Sequence, residues 1–149
     1  MNLFSNRDCK IFTVRRKLYG PRGAFKVKSI QKDIYELNTD DIPEFNLICG
    51  GFPCQPFSQI GKKKGFSEEL EGRGNLFYEI LRIIKDKKPD GFFLENVRHL
   101  VNHDSGKTFK TIKKSLEKEG YSFNFKVIKA SDFNLPQLRP RTFMVGFDK

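Results

Sequence analysis

Beyond about Ser29 the chain alternates short apolar runs with segments of helical period. Phe45-Asn46-Leu47-Ile48-Cys49 is a short apolar run broken by Gly50-Gly51, which predicts a strand followed by a turn. Asn75 is placed to cap a helix in which Phe77, Ile80, Leu81 and Ile84 recur at i, i+3, i+4 and i+7. Pro89 ends that helix, because the residue before a proline is pushed out of the α region. Gly91-Phe92-Phe93-Leu94 is apolar without alternation, the pattern of a buried strand covered on both faces. A second helix is predicted over about residues 107–119, with Phe109, Ile112 and Leu116 on one side and Gly120 just past its end. Strands around 123–129 and 142–147 complete the series. This order predicts an α/β fold, a mostly parallel sheet with flanking helices.

Charge changes the picture mainly at the N-terminus. The chain has 149 residues and a net charge of +10, a pointer to a polyanionic partner such as nucleic acid. Residues 1–28 hold eight basic residues against Asp8 alone, with weak periodicity and a Gly20-Pro21-Arg22-Gly23 turn. The expected division is therefore a basic, unassigned stretch over 1–28 and a folded region over 29–149. An ordinary hydrophobic content rules out a mainly disordered chain, and no run approaches the length of a membrane span. Three cysteines are too few for a disulfide framework and fit a reducing, intracellular setting.

In a sheet of this kind ligands bind beyond the carboxyl ends of the strands, and two unusual segments fall there. Cys54 lies between Pro53 and Pro56 in a glycine-led loop. A fixed loop aims an attacking thiolate, while the bland alternative is a small buried hydrophobe, the reading that Cys49 and Cys9 receive. Glu95 ends an apolar strand, either as a desolvated proton donor or as a carboxylate emerging into water. Gln137, Arg139 and Arg141 alternate before the last strand and would share one face if extended. Two guanidiniums there suit a carboxylate, a carbonyl oxygen or a phosphate, and a solvated basic turn is the alternative. His99 with His103, and Cys49 with Cys54, match no closed zinc spacing, so no metal is expected.

Together these segments resemble the DNA (cytosine-5) methyltransferases. The resemblance rests on Gly50-Gly51-Phe52-Pro53-Cys54-Gln55-Pro56-Phe57-Ser58, Arg73-Gly74-Asn75-Leu76-Phe77, Glu95-Asn96-Val97 and Gln137-Leu138-Arg139-Pro140-Arg141, four motifs in the family's order. It implies a partial Rossmann-like fold of the class that binds S-adenosylmethionine, the methyl donor, with double-stranded DNA as partner. It further implies that Cys54 adds to C6 of a flipped cytosine and makes C5 enamine-like. Glu95 would bind the N3/N4 edge of the ring, Arg141 would hold O2, and Arg139 would support the cysteine loop. Phe52 and Pro53 would border the ring, with Gln55, Ser58, Asn96 and Gln137 on the base or DNA side. Lys62, Lys63 and Lys64 would meet phosphates from a mobile loop. Asp33, Pro53 and Leu76 match cofactor contacts.

The chain departs from that pattern in two places. Residues 1–28 contain no Phe-x-Gly-x-Gly loop for the methionine end of the cofactor, and no target-recognition region follows Arg141 before Lys149. Two readings follow from different classes. One is a partial catalytic domain, in a prokaryotic cytoplasm and associated with the nucleoid, that is completed by a complementary methyltransferase chain. The other is an inactive remnant that at most associates with DNA. Without its first βα unit the isolated chain is expected to aggregate or associate.

Overall fold

The computed structural model describes residues 11–16, 25–30, 34–52 and 76–149, the first two segments as backbone only. They form one six-stranded sheet in the order β2-β1-β3-β4-β6-β5. Its strands are β1 (Ile11–Arg16), β2 (Phe25–Ile30), β3 (Leu47–Gly51), β4 (Gly91–Val97), β5 (Asn124–Ile128) and β6 (Arg141–Phe147). Among the described residues two α-helices accompany them, α1 (Leu76–Lys87) and α2 (Lys107–Lys118).

The α/β architecture and the helices agree with the sequence reading, but the expectation of a mostly parallel sheet is corrected. Only β3 and β4 run parallel, and the other four pairings are antiparallel. The physical reason is the length of the connections. Parallel neighbours need a crossover of a dozen or more residues, normally a helix, and α1 lies on the path from β3 to β4. Between β5 and β6 there is one short 3-10 turn, Ala130–Phe133, which permits an antiparallel return that places β6 between β4 and β5.

Helix boundaries follow local chemistry. Past the end of α1, Lys88 takes φ +45° and donates its N–H to the Ile84 carbonyl, and Pro89 follows. Helix α2 ends at Lys118, and Gly120 just beyond it has a φ of +99° that suits glycine; the Gly120 and Tyr121 N–H groups donate to the Glu117 and Leu116 carbonyls. The segment from β4 to α2, Arg98–Gly106, is 3-10 helix interrupted at His103, Asp104 and Ser105 by non-helical backbone.

Both helices pack on the same face of the sheet. Phe77, Ile80, Ile83 and Ile84 of α1 and Ile112 and Leu116 of α2 are fully buried with Ile48, Phe92, Leu94 and Met144 of the strands. Gly146 is part of that packing. A Cβ there would come within 2.5 Å of the Phe92 ring and meet the Ser122 carbonyl oxygen. The opposite face is different. Phe93 is 40 % exposed, so the expectation that β4 is covered on both sides is corrected: the helices supply one cover only. Among the described residues no helix is long and apolar enough to cross a membrane.

Candidate active site

The site lies at the carboxyl ends of the parallel pair β3–β4, closed laterally by the start of β6. Strand register does the positioning. In β4, side chains alternate between the helix-covered and open faces, so Phe92, Leu94 and Asn96 turn inward while Phe93, Glu95 and Val97 turn outward. On β6, Arg141 stands beside Val97 and Phe143 beside Glu95. Glu95 and Arg141 are therefore diagonal neighbours on the open face, within reach of long side chains.

They meet. Arg141 Nε donates to Glu95 Oε1 at 2.7 Å, with the two side chains 22 % and 24 % exposed. A charge-assisted bond of that length fixes both groups while leaving solvent access. Arg141 Nη1 is held by the Pro140 carbonyl at 3.0 Å. No other bond to Glu95 is made among the described residues.

On the inner side of the same strand end, Asn96 is 2 % exposed. Its Nδ2 donates to the Phe52 carbonyl at 2.7 Å, and its Oδ1 accepts from the Val97 N–H at 2.8 Å. One buried amide thus joins the end of β4 to the residue that leads from β3 into Pro53-Cys54. Asn96 acts as a backbone clamp, with both its polar atoms bonded inside the protein. The Phe52 ring is buried, 5.5 Å from that of Phe77. Thr142, fully buried opposite Asn96, places its hydroxyl 3.4 Å from the Val97 carbonyl.

Gln137 and Arg139 are not brought to the pair. Asn134 takes a left-handed φ of +59° and two prolines follow, so residues 137–140 are irregular and the strand starts only at Arg141. Both side chains are exposed and unbonded among the described residues, beside Leu138 at 82 % exposure. Leu76 opens α1 and is buried in the core. Cys54, Asp33, Pro53, Gln55, Ser58, Lys62, Lys63 and Lys64 lie outside the described residues, as do Cys9 and Asn75.

Cys49 sits within β3, half-buried, and burial pushes its thiol up, away from the thiolate that a nucleophile needs. His99 and His103 stack edge to face at 6.1 Å, and His103 Nδ1 lies 2.8 Å from the Thr108 hydroxyl. No group of three or more His, Cys, Asp or Glu able to hold a metal occurs among the described residues. The Asn96–Phe52 link had no separate signal in the sequence beyond the polar residue set between Glu95 and Val97.

Comparison with known proteins identifies the family. Residues 17–149 match the family of C-5 cytosine-specific DNA methylases. The chain is 52 % identical over 117 residues to type II methyltransferase M1.ScrFI of Lactococcus lactis subsp. cremoris, covering 78 % of this chain and 29 % of that protein. It is 48 % identical over 124 residues to type II methyltransferase M.Bsp6I of Bacillus sp. (strain RFL6), covering 83 % of this chain and 39 % of the relative. The fold is shared with the Dnmt2 methyltransferase of S. pombe, at a TM-score of 0.58 and 24 % identity, over 78 % of this chain and 35 % of that one. The chain thus spans between a quarter and two-fifths of the length of these proteins. It belongs to the C-5 cytosine-specific DNA methylase family.

Proposed function

We propose that this chain carries the bond-making part of a DNA cytosine-5 methyltransferase, acting on double-stranded DNA and completed by a complementary methyltransferase chain. The observation that carries the reading is the Glu95–Arg141 pair at the open end of β4, next to the amide clamp on Phe52. Cys54 is the next residue but one after the carbonyl so held.

The chemistry runs through the chain's own side chains. The Cys54 thiolate attacks C6 of a cytosine turned out of the helix, and the electron pair of the C5–C6 bond moves into the ring. Arg141, fixed by Glu95, offers its remaining guanidinium hydrogens to O2, where negative charge grows. The free oxygen of Glu95 receives the N4 amino group and, when protonated, supplies the proton that neutralises N3. C5 then carries the nucleophilic density that a methyl donor captures. A water molecule or hydroxide takes the C5 proton while N3 returns its proton to Glu95, which restores the C5–C6 double bond and expels Cys54 as thiolate. Arg139 supports the cysteine loop, Lys62, Lys63 and Lys64 meet phosphates, and Gln55, Ser58 and Gln137 flank the DNA.

S-adenosylmethionine supplies the electrophilic methyl group when bound. Its fit is testable here at one position: Leu76 is buried and apolar, and provides a wall without a hydrogen bond. The described residues alone do not form a pocket for the cofactor, and Asp33 and Pro53 are its other proposed contacts.

A duplex containing 5-fluorocytosine tests the reading, because fluorine cannot leave as a cation and the adduct persists. With S-adenosylmethionine and a complementing chain, a covalent complex is expected that Cys54→Ser abolishes. No adduct, alone or complemented, would leave a basic protein that only associates with DNA.

A further inference from the structure

We propose that the outer face of α2 is a second contact surface for the phosphate backbone of double-stranded DNA, on the opposite side of the sheet from Glu95 and Arg141. This rests on the DNA reading above and adds a site to it. Helix α2 turns Phe109, Ile112 and Leu116 into the core. Its other side presents Lys107, Lys110, Lys114 and Lys118 at spacings of three, four and four residues, hence along one stripe. With Thr111 and Ser115 between them, these lysines line a shallow groove of about 350 Å³.

The charge on this stripe is not used internally. Lys113, off the stripe, pairs with Glu117 at 3.8 Å. None of the four stripe lysines has a carboxylate partner among the described residues. On α1, by contrast, Arg82 pairs with Glu79, and Lys87 with Glu44. Like charges at i, i+3 and i, i+4 destabilise a helix, so three such neighbours in a row oppose folding unless a polyanion meets them.

The chemistry of the face selects the polyanion. The stripe covers roughly 16 Å at 1.5 Å per residue, a scale on which each DNA strand carries a charge about every 3.4 Å. The groove lining is lysine and hydroxyl throughout, with no apolar residue to enter a membrane and no aromatic ring on which unpaired bases could stack. Point charges with hydroxyls suit phosphate oxygens, without sequence readout. Because α2 and the Glu95–Arg141 pair lie on opposite sides of the sheet, the stripe holds a segment of duplex other than the one presenting the target base.

Salt dependence of binding to a sequence-neutral duplex tests this with the full chain. Replacing Lys110, Lys114 and Lys118 with alanine is expected to lower the slope of log K against log salt by between about 2 and 3, at about 0.9 per phosphate. The same loss of charge at Lys85, Lys129 and Lys149 should lower it by less than about 1. Alanine favours helix, so the stripe variant should unfold at or above the parent's temperature. Equal slope changes in the two variants, no change in either, or no duplex binding by the parent would overturn the proposal. So would binding of an acidic polypeptide in preference to duplex, lost in the stripe variant. An intact 5-fluorocytosine adduct with equal slopes removes the stripe alone. Unequal slopes without an adduct remove the catalytic reading alone.

Discussion

The two faces of the sheet are made by the same strands and do opposite things. On one, Ile48, Phe92, Leu94 and Met144 disappear beneath α1 and α2. On the other, one residue further along each strand, Phe93 and Val97 stay exposed around the ion pair of Glu95 and Arg141. The strand period of two separates stability from chemistry at single-residue resolution. Asn96 spans the two, since it is buried with the core yet holds the chain that leads to Cys54.

The sharpest way to break the comparison is to truncate neighbours. Phe92→Ala should cost about 3–5 kcal/mol by denaturant unfolding, because its ring is enclosed by Tyr121, Phe123 and the Gly146 backbone. Phe93→Ala, one residue on, should cost about 1 kcal/mol, since its ring already meets water on one side and Phe143 on the other. Similar costs would show that the open face is covered.

The next effect concerns the clamp. Asn96→Ala strands a buried carbonyl at Phe52 and an N–H at Val97, for a loss of about 1–3 kcal/mol. It should also slow adduct formation by Cys54 at saturating DNA more than it weakens DNA binding. A slower rate explained wholly by weaker binding would reduce Asn96 to a packing residue.

Tyr121 gives a smaller and pH-dependent effect on the covered face. Its hydroxyl donates to the Pro89 carbonyl at 2.6 Å, and burial, then Asp148, Asp90 and Glu119, push the phenol up to about 12. The folded state therefore favours the neutral phenol, so its contribution is complete below pH 10 and is lost as pH rises toward 12. Tyr121→Phe should cost about 1 kcal/mol at neutral pH and flatten that alkaline decline in stability. An unchanged decline would assign it to other groups.

The smallest change in stability should accompany the largest change in chemistry. Glu95→Gln loses a partly exposed ion pair and should shift unfolding by no more than about 1 kcal/mol. A large loss of stability would make Glu95 structural and undo the division between the faces.

Much of this was legible in the sequence because the signals were local. The 3.6-residue period placed α1 and α2, Pro89 and Gly120 marked their ends, and the glycine and carboxylate at the ends of apolar runs marked β3 and β4. What was not legible depended on pairing between distant segments. The apolar run at Gly91–Leu94 reads as doubly buried, and only the placement of both helices on one side exposes Phe93. Gln137 and Arg139 alternate with Arg141 in the sequence, yet strand β6 begins only at Arg141. Asn96 is a polar letter between two motif residues, and its role appears only once β3 and β4 lie side by side. The alternation Phe25-Lys26-Val27-Lys28 in β2 is a strand signal that the basic charge of the stretch masked, and its pairing with β1 is antiparallel.

The most direct test of the central claim needs no methyl donor. If Cys54 adds to C6 with Glu95 and Arg141 neutralising the ring, the hydrogen on C5 becomes exchangeable with solvent. Duplex DNA incubated with the chain in heavy water should gain deuterium at cytosine C5, read by mass spectrometry of the released nucleosides. The gain should vanish with Cys54→Ser and fall at least tenfold with Glu95→Gln. Bound duplex that gains no deuterium in the presence of the complementing chain, or gains it equally with Cys54→Ser, would contradict the proposed chemistry.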